Sequence, residues 1–206
     1  MLGTELFQSA SSDDTMLSPD SFVSEVRTIE REKGGIALSD PSQGINVHDW
    51  QCGYVSGTGS IVLTNLTTSV SYTILVGITG VVGLSFAFDA NMRPALGYSK
   101  ADGSSYLYYY DTVTEDYATI TLAAGSGSPK LCHDDKRDRM VLSNVTDILV
   151  FYIRNNLLYY RLQRERYQTE HQVATLTAGA TLVKVGMSTE LRILVQVSNG
   201  TFISSP

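Results

Sequence analysis

The chain is poor in the residues from which most catalytic and metal centres are made: two cysteines and three histidines stand among 206 residues. Two thiols, Cys52 and Cys132, are too few for a disulfide framework, and the start MLGTELFQSASSDD lacks the basic residues and apolar core of a secretory signal. The expectation is an intracellular product with free thiols. The sequons at Asn65, Asn144 and Asn199 then read as Asn-x-Thr turn and strand chemistry. No G-x-S-x-G elbow occurs, and SGTGS at residues 56–60 lacks the Lys and the following helix of a phosphate loop, so it reads as a turn. Three histidines without a recognisable partner give no triad. Basic charge is also short. A net charge of -6 and a pI near 5.0 argue against a chain that grips phosphate backbones, which takes clustered Lys and Arg. Neither a cofactor nor an enzymatic activity is expected.

From Trp50 to Phe88 the chain has no Asp, Glu, Lys or Arg. Within that stretch SYTILVGITGVVGLSFAF is nearly long enough to span a bilayer. Thr, Ser and Gly interrupt it every few positions, however, and its β-branched residues favour strands covered on both faces or buried at a subunit interface. Stable membrane insertion is not expected.

What is present points to β structure, since 43% hydrophobic with 17% charged residues is an ordinary globular balance. The one helix signal is SPDSFVSEVRTIEREKGG. Ser18 is placed to cap, Pro19 suits the first helical position, Phe22, Val26 and Ile29 share a face, and Gly34-Gly35 stops it. An extended arm with incidental spacing is the alternative. After Asn91 come aromatic hairpins: a turn at Asp102-Gly103, a strand ending in Tyr108, Tyr109 and Tyr110, and a return from Tyr117 to Leu122. Pro94-x-Leu96 matches Pro129-x-Leu131, and Leu107-Tyr108-Tyr109 matches Leu158-Tyr159-Tyr160, which suggests two successive blade-like meanders. The C-terminal TLVKVGM and LRILVQV form a further hairpin with Val183, Val185, Ile193 and Val195 inward. The expected fold is mainly β, in antiparallel meanders and hairpins that are blade-like or sandwich-like, with one short N-terminal helix. Residues 1–49 form an arm carrying that helix, and residues 50–206 form the antiparallel β domain.

The richest stretch is DILVFYIRNNLLYYRLQRERYQ, residues 147–168. With Asn155-Asn156 as a two-residue turn, Arg154 pairs with Leu157 and Ile153 with Leu158. One face then collects Leu149, Phe151, Ile153, Leu158, Tyr160 and Leu162 and reads as core. The other collects Val150, Tyr152, Tyr159, Arg161 and Gln163, and its aromatic bodies with polar tips suit a contact surface. A second turn falls near Arg164-Glu165. Tyr152, Tyr159, Arg161, Arg164 and Arg166 are the candidate interface residues, because Tyr and Arg are enriched at protein contacts. A stacking platform for single-stranded nucleic acid is the competing reading, and Glu165 and Glu170 weigh against it. His48 with Cys52 and Cys132 with His133 could supply four soft ligands, but their spacing is that of no known finger, and buried free thiols are expected. The mixed run Asp134-Asp135-Lys136-Arg137-Asp138-Arg139 offers a carboxylate pair for acid-base work or a hard metal; a solvated salt-bridging loop is the plainer reading.

The series P-x-L-C-x-D-D-K-R (129–137), D-I-L-x-x-Y-I-R (147–154), L-Y-Y-R-x-Q-R-x-R-Y (158–167) and V-G-M-x-x-x-L-R (185–192) resembles small proteins encoded among the tail genes of tailed, and particularly short-tailed, bacteriophages. The resemblance spans about residues 91–197. It implies a structural virion protein in a symmetric ring or collar, as hub, nozzle or adaptor. Its partners would be copies of itself and neighbouring tail or fibre proteins, and it would reside in the tail after assembly in the host cytoplasm. The second expectation is a host-receptor or carbohydrate-binding module on a tail fibre. LYYYDTVTEDY resembles the strand-turn-strand of kelch-like propeller blades, which implies blade geometry.

Overall fold

Alternation in the sequence becomes alternation in burial: along SYLYYYD every second residue is buried, and β-branched and aromatic residues fill the strands between glycine-, asparagine- and serine-rich turns. A computed structural model describes residues 23–29, 31–32, 35–36, 48–89, 92–134, 147–187 and 193–204. In chain order the strands are β1 (Val23–Ile29), β2 (Arg31–Glu32), β3 (Gly35–Ile36), β4 (His48–Val55), β5 (Ser60–Asn65), β6 (Val70–Leu75), β7 (Val81–Phe88), β8 (Pro94–Lys100) and β9 (Ser105–Asp111). There follow β10 (Asp116–Thr121), β11 (Lys130–Asp134), β12 (Asp147–Arg154), β13 (Leu157–Leu162), β14 (His171–Thr175), β15 (Leu182–Met187), β16 (Ile193–Val197) and β17 (Phe202–Ser204).

Apart from the small β2-β3 hairpin, the strands form four antiparallel meanders: β1-β4-β5-β6, β7-β8-β9-β10, β11-β12-β13-β14 and β15-β16-β17. The fold is mainly β and antiparallel, as expected, but the sequence suggested two meanders where four exist. The sheets meet in chain order through their first and second strands, β1 and β4 on β7, β7 and β8 on β11, β11 and β12 on β15. This is blade-like stacking. Among the described residues the expected N-terminal helix is not formed: residues 23–29 are instead β1, paired with β4 in register from Val23↔Tyr54 to Ile29↔His48, while Ser18, Pro19, Phe22 and Gly34 lie outside the described residues. Sheet pairing outweighs the helical spacing of Val26 and Ile29. The first sheet therefore takes one strand from before residue 50 and three from His48 onward.

Three buried clusters fill the three spaces between sheets. Cys52, Tyr54, Ile61 and Leu63 meet Val81, Leu84, Phe86 and Phe88 between the first and second. Ala87, Ala95, Leu107 and Tyr109 meet Leu131, Ile148, Val150 and Tyr152 between the second and third. Leu149, Phe151, Ile153 and Leu158 meet Val185, Ile193, Val195 and Val197 between the third and fourth. A middle sheet is thus covered on both faces, which is why β12 reads as a nearly continuous apolar run. Close approach at the inner strands comes from small residues. A Cβ added at Gly97 would lie 2.5 Å from Leu131 Cδ1 and 3.0 Å from Pro129 Cγ. A Cβ at Gly83 would run into the hydroxyls of Ser99 and Ser128, which are bonded to each other at 2.6 Å.

At the inner edges of the second and third sheets a backbone N–H is satisfied by a side chain from the sheet before it. Buried Glu25 on β1 accepts the Phe86 N–H of β7 at 2.8 Å, and Ser85 Oγ of β7 accepts the Leu131 N–H of β11 at 3.0 Å. These bonds supply partners to backbone groups that would otherwise be buried unsatisfied.

Several local expectations can be placed. Asn155 and Asn156 have φ of 53° and 60°, and the register Arg154↔Leu157, Ile153↔Leu158 is the one the two-residue turn requires. The Arg164-Glu165 turn is a 3-10 turn over Gln163–Glu165 that ends with left-handed Arg166 and Tyr167. SGTGS is the β4-β5 turn. The stretch considered for the membrane is β6, a turn and β7, and among the described residues no helix is long and apolar enough to cross a bilayer. Val185, Ile193 and Val195 point inward, but Val183 is exposed because the β15-β16 register slips between Leu182 and Lys184. Of the two repeat matches, Leu107-Tyr108-Tyr109 and Leu158-Tyr159-Tyr160 occupy third strands of successive meanders. Pro94-x-Leu96 opens a second strand, whereas Pro129-x-Leu131 leads into a first.

Candidate interaction surface

The face of the 147–168 hairpin expected to meet a partner packs against the preceding sheet. Val150 and Tyr152 are fully buried there, and Tyr159 lies half-buried beside them. A blade with neighbours on both sides has no solvent face near its inner strands, so the amphipathic pattern serves the interior. Tyr152, Tyr159 and Arg161 come together around Glu170, which the sequence showed only as a charge opposing nucleic acid. The Glu170 carboxylate accepts two hydrogen bonds from Arg154, at 2.9 and 2.8 Å, one from Arg161 at 2.9 Å, and one from the Tyr152 hydroxyl. Arg161 also donates to Tyr152 Oη at 2.8 Å and to the Tyr167 carbonyl at 2.9 Å, while Arg154 lies over the Tyr159 ring. Burial opposes ionisation of Glu170, but the donors Arg154, Tyr152 and Arg161 outweigh it and bring its pKa down to about 2. Burial first, and the Glu170 bond second, hold the Tyr152 phenol well above its ordinary range.

Arg166 and Arg164 are exposed on the turn after β13. Arg166 binds the Asp111 carboxylate through Nε at 2.9 Å and Nη2 at 2.5 Å, tying the third sheet to the β9-β10 hairpin of the second. A backbone hydrogen bond from Val113 leads the causes that lower the Asp111 pKa, with Arg166 adding to it. Cys52 and Cys132 are reduced and buried in different clusters, so the four soft ligands do not converge. His48 Nδ1 instead meets Asn65 Nδ2 at 2.7 Å. Asn65 and Asn199 act as turn residues through their side-chain oxygens, while Asn144 and the charged run beyond Asp134 lie outside the described residues.

The surface with unmatched apolar character is the outer rim between the first two sheets. On the first sheet Trp50, Asn65 and Val70 form one cross-strand row, and Cys52, Leu63 and Tyr72 the next. Cover is lost outward along each row: Cys52 and Leu63 are buried, whereas Tyr72 is 51% and Val70 43% exposed. Trp50 joins the two sheets, with its ring 4.9 Å from Phe88 and 6.1 Å from Tyr72. Opposite stand buried Tyr98 and the partly buried Tyr106, Tyr108, Tyr110 and Tyr117. Tyr98 stacks on Tyr106 at 5.0 Å, Tyr108 on Tyr117 at 4.8 Å, and Tyr110 meets Tyr117 edge-on at 5.3 Å. Arg93 lies 3.9 Å above Tyr110 and Lys100 4.9 Å above Tyr106. Burial, ahead of the charges and phenols around it, pushes the Tyr117 pKa up to about 12. The Tyr117 phenol is therefore neutral, and the rim offers flat aromatic surface with hydroxyl tips. The sequence signal was the uncharged stretch from Trp50, but it did not say which strand would remain uncovered.

No family model and no curated protein matches the chain. Solved structures similar to it include two complexes of one protein. One is BBS1N in complex with ARL6DN, soaked with lead, at TM-score 0.48 and 13% identity over 92% of this chain and 57% of that one. The other is BBS1N in complex with ARL6DN, soaked with mercury, at TM-score 0.43 and 14% identity over 87% of this chain and 47% of that one. The chain thus spans about half the length of those chains, and likeness at this level carries no argument about function. These structures, not bacteriophage tail proteins, are what the chain is similar to. The tail-protein reading is corrected accordingly, with its ring or collar, its self-assembly and tail or fibre partners, its receptor or carbohydrate module and its virion location. The segments that carried it are β11, β12, β13 and β15 with the turn after β13, whose inward residues are dictated by packing between sheets.

Proposed function

We propose that this chain is a non-catalytic scaffold that binds another protein at the outer rim of its first two sheets. The carrying observation is the exposed, uncharged pair Val70 and Tyr72, which continues two buried rows outward and faces the tyrosines of β9 and β10. Leu66, 44% exposed in the turn before β6, extends the same patch. Aromatic side chains with polar tips are what protein interfaces favour. The most shifted carboxylate supports a structural reading of the remaining charges, since Glu170 is held ionised by three donor side chains and acts as a counter-ion.

Site-specific photocrosslinking in the cells that make the protein tests this reading. Benzoylphenylalanine at Thr73 is expected to give a discrete adduct with a different protein. The adduct should disappear when Val70→Asp and Tyr72→Asp are added, and should not form from Val113, an exposed site on the β9-β10 hairpin. The same adducts from both positions, or none from Thr73, would refute it.

A further inference from the structure

We infer that β6 is a receiving edge, completed by an extended, uncharged segment of the partner that adds to the first sheet as its next strand. The inference rests on the protein-binding reading and specifies how the partner is held. Among the described residues β6 pairs on one side only, with β5. Its other side presents a row of backbone donors and acceptors, a chemistry that another extended backbone satisfies.

Edge strands are normally blunted by charge, proline, shortness or cover, and the other three outer strands of this protein show such devices. β10 begins at exposed Asp116 after Glu115. β14 begins at His171, bonded to Glu165 at 2.7 Å and following Glu170. β17 is three residues long. By contrast with these outer strands of the other three meanders, among the described residues β6 is six residues long, reads VSYTIL, carries no charge or proline, and exposes its first four residues.

The geometry also selects the segment. The β5-β6 register shifts between Ile61 and Val62, opposite Leu75 and Thr73, so Ile74 is bulged and the straight edge is Val70 to Thr73. An added strand continues the rows that end at Val70 and Tyr72, so two apolar residues spaced i and i+2 lie beside them, turned toward the tyrosines of the second sheet. Its alternate residues lie beside Ser71 and Thr73 and suit Thr or Ser. No ionic group from Trp50 to Phe88 is available to pair with a charge at this edge. A four-residue core of alternating apolar and hydroxyl residues is the implied ligand, and a lipid surface, which offers no backbone, is excluded by the same argument.

The test uses the full chain and fluorescent ten-residue peptides with a Val-Thr-Phe-Thr core between lysine flanks, followed by anisotropy. The unmodified peptide is expected to bind. N-methylation of alternate core amides should weaken it about tenfold or more in one of the two phases and much less in the other, because only one set of amides faces β6. Tyr72→Lys should abolish binding with the melting midpoint retained. Equal binding by both N-methylated peptides, binding by none of the peptides, or association of the chain with itself through β6 would overturn the strand-addition inference. A partner adduct at Thr73 that persists in those cases leaves the protein-binding reading standing, whereas loss of that adduct removes the reading itself.

Discussion

Replacing Glu170 by Gln keeps the shape of the group that joins β12, β13 and the β13-β14 turn and removes its charge. The carboxylate is 24% exposed and pairs with Arg154 and Arg161, themselves 19% and 13% exposed. Its folded pKa of about 2 lies below the ordinary 4.5. The stabilisation is therefore fully present above about pH 4.5 and is lost as pH falls toward 2. Taken at face value the shift corresponds to about 3 kcal/mol, and solvent at this partly exposed site reduces that to roughly 2 kcal/mol. Glu170→Gln should accordingly lower stability at pH 7 by about 2 kcal/mol, or roughly 4–8 °C in melting midpoint for a chain of this size. Urea melts of both proteins at pH 7, 5 and 3 test the reasoning. The gap should be nearly equal at pH 7 and 5 and shrink to less than about half at pH 3, because over that range the carboxylate of the unfolded wild-type chain takes up its proton while the folded one stays largely ionised. A gap that stays constant to pH 3, or widens there, would show that Glu170 is not the ionised centre of the network.

Gly97→Ala should destabilise by about 1–3 kcal/mol in urea melts, because its methyl meets Leu131 Cδ1 and Pro129 Cγ across the second and third sheets. Asn155→Gly should be nearly neutral by the same measurement, whereas Asn155→Val should cost about 1–2 kcal/mol, since φ at this position is 53°. Phe151→Ala and Tyr152→Ala should each cost about 3–5 kcal/mol in thermal or urea unfolding, one on each face of β12, because both faces are interior.

The hairpin at 147–168 shows how far the sequence could be read. Its turn and register were legible because Asn-Asn tolerates left-handed backbone where most pairs do not, and one correct turn fixes every pairing outward from it. Its faces were harder. Tyr152, Tyr159 and Arg161 have polar tips, and a local pattern cannot distinguish a tip that meets solvent from one that meets Glu170, a residue on the far side of another turn. Gly83 and Ser85 looked like interruptions in an apolar run and Gly97 and Ser99 carried no signal, yet the smallness of all four is what lets the inner strands of successive sheets converge. The N-terminal strand was hidden for a related reason. Val26 and Ile29 fit a helix locally, and only the pairing with β4 and the reach of Glu25 to β7 decide for a strand.

The uncharged stretch from Trp50 to Phe88 has two physical causes that the sequence presents as one. Strands β4, β5 and β7 place Cys52, Tyr54, Ile61, Leu63, Val81, Leu84, Phe86 and Phe88 in a common core, so an ionic group there would be desolvated without a partner. Burial accounts for the lack of charge in those strands. It does not account for β6, where Val70, Ser71, Tyr72 and Thr73 are exposed and a Lys or Glu would cost the folded chain almost nothing. Charge is missing from the one strand of the four that solvent reaches most freely, and at an edge that carries a real aggregation hazard. A feature that folding does not require and solubility opposes is best explained by a contact made after folding. The topology points to that contact, because it leaves β6 outermost while the rows beneath it run inward to Trp50 and Cys52.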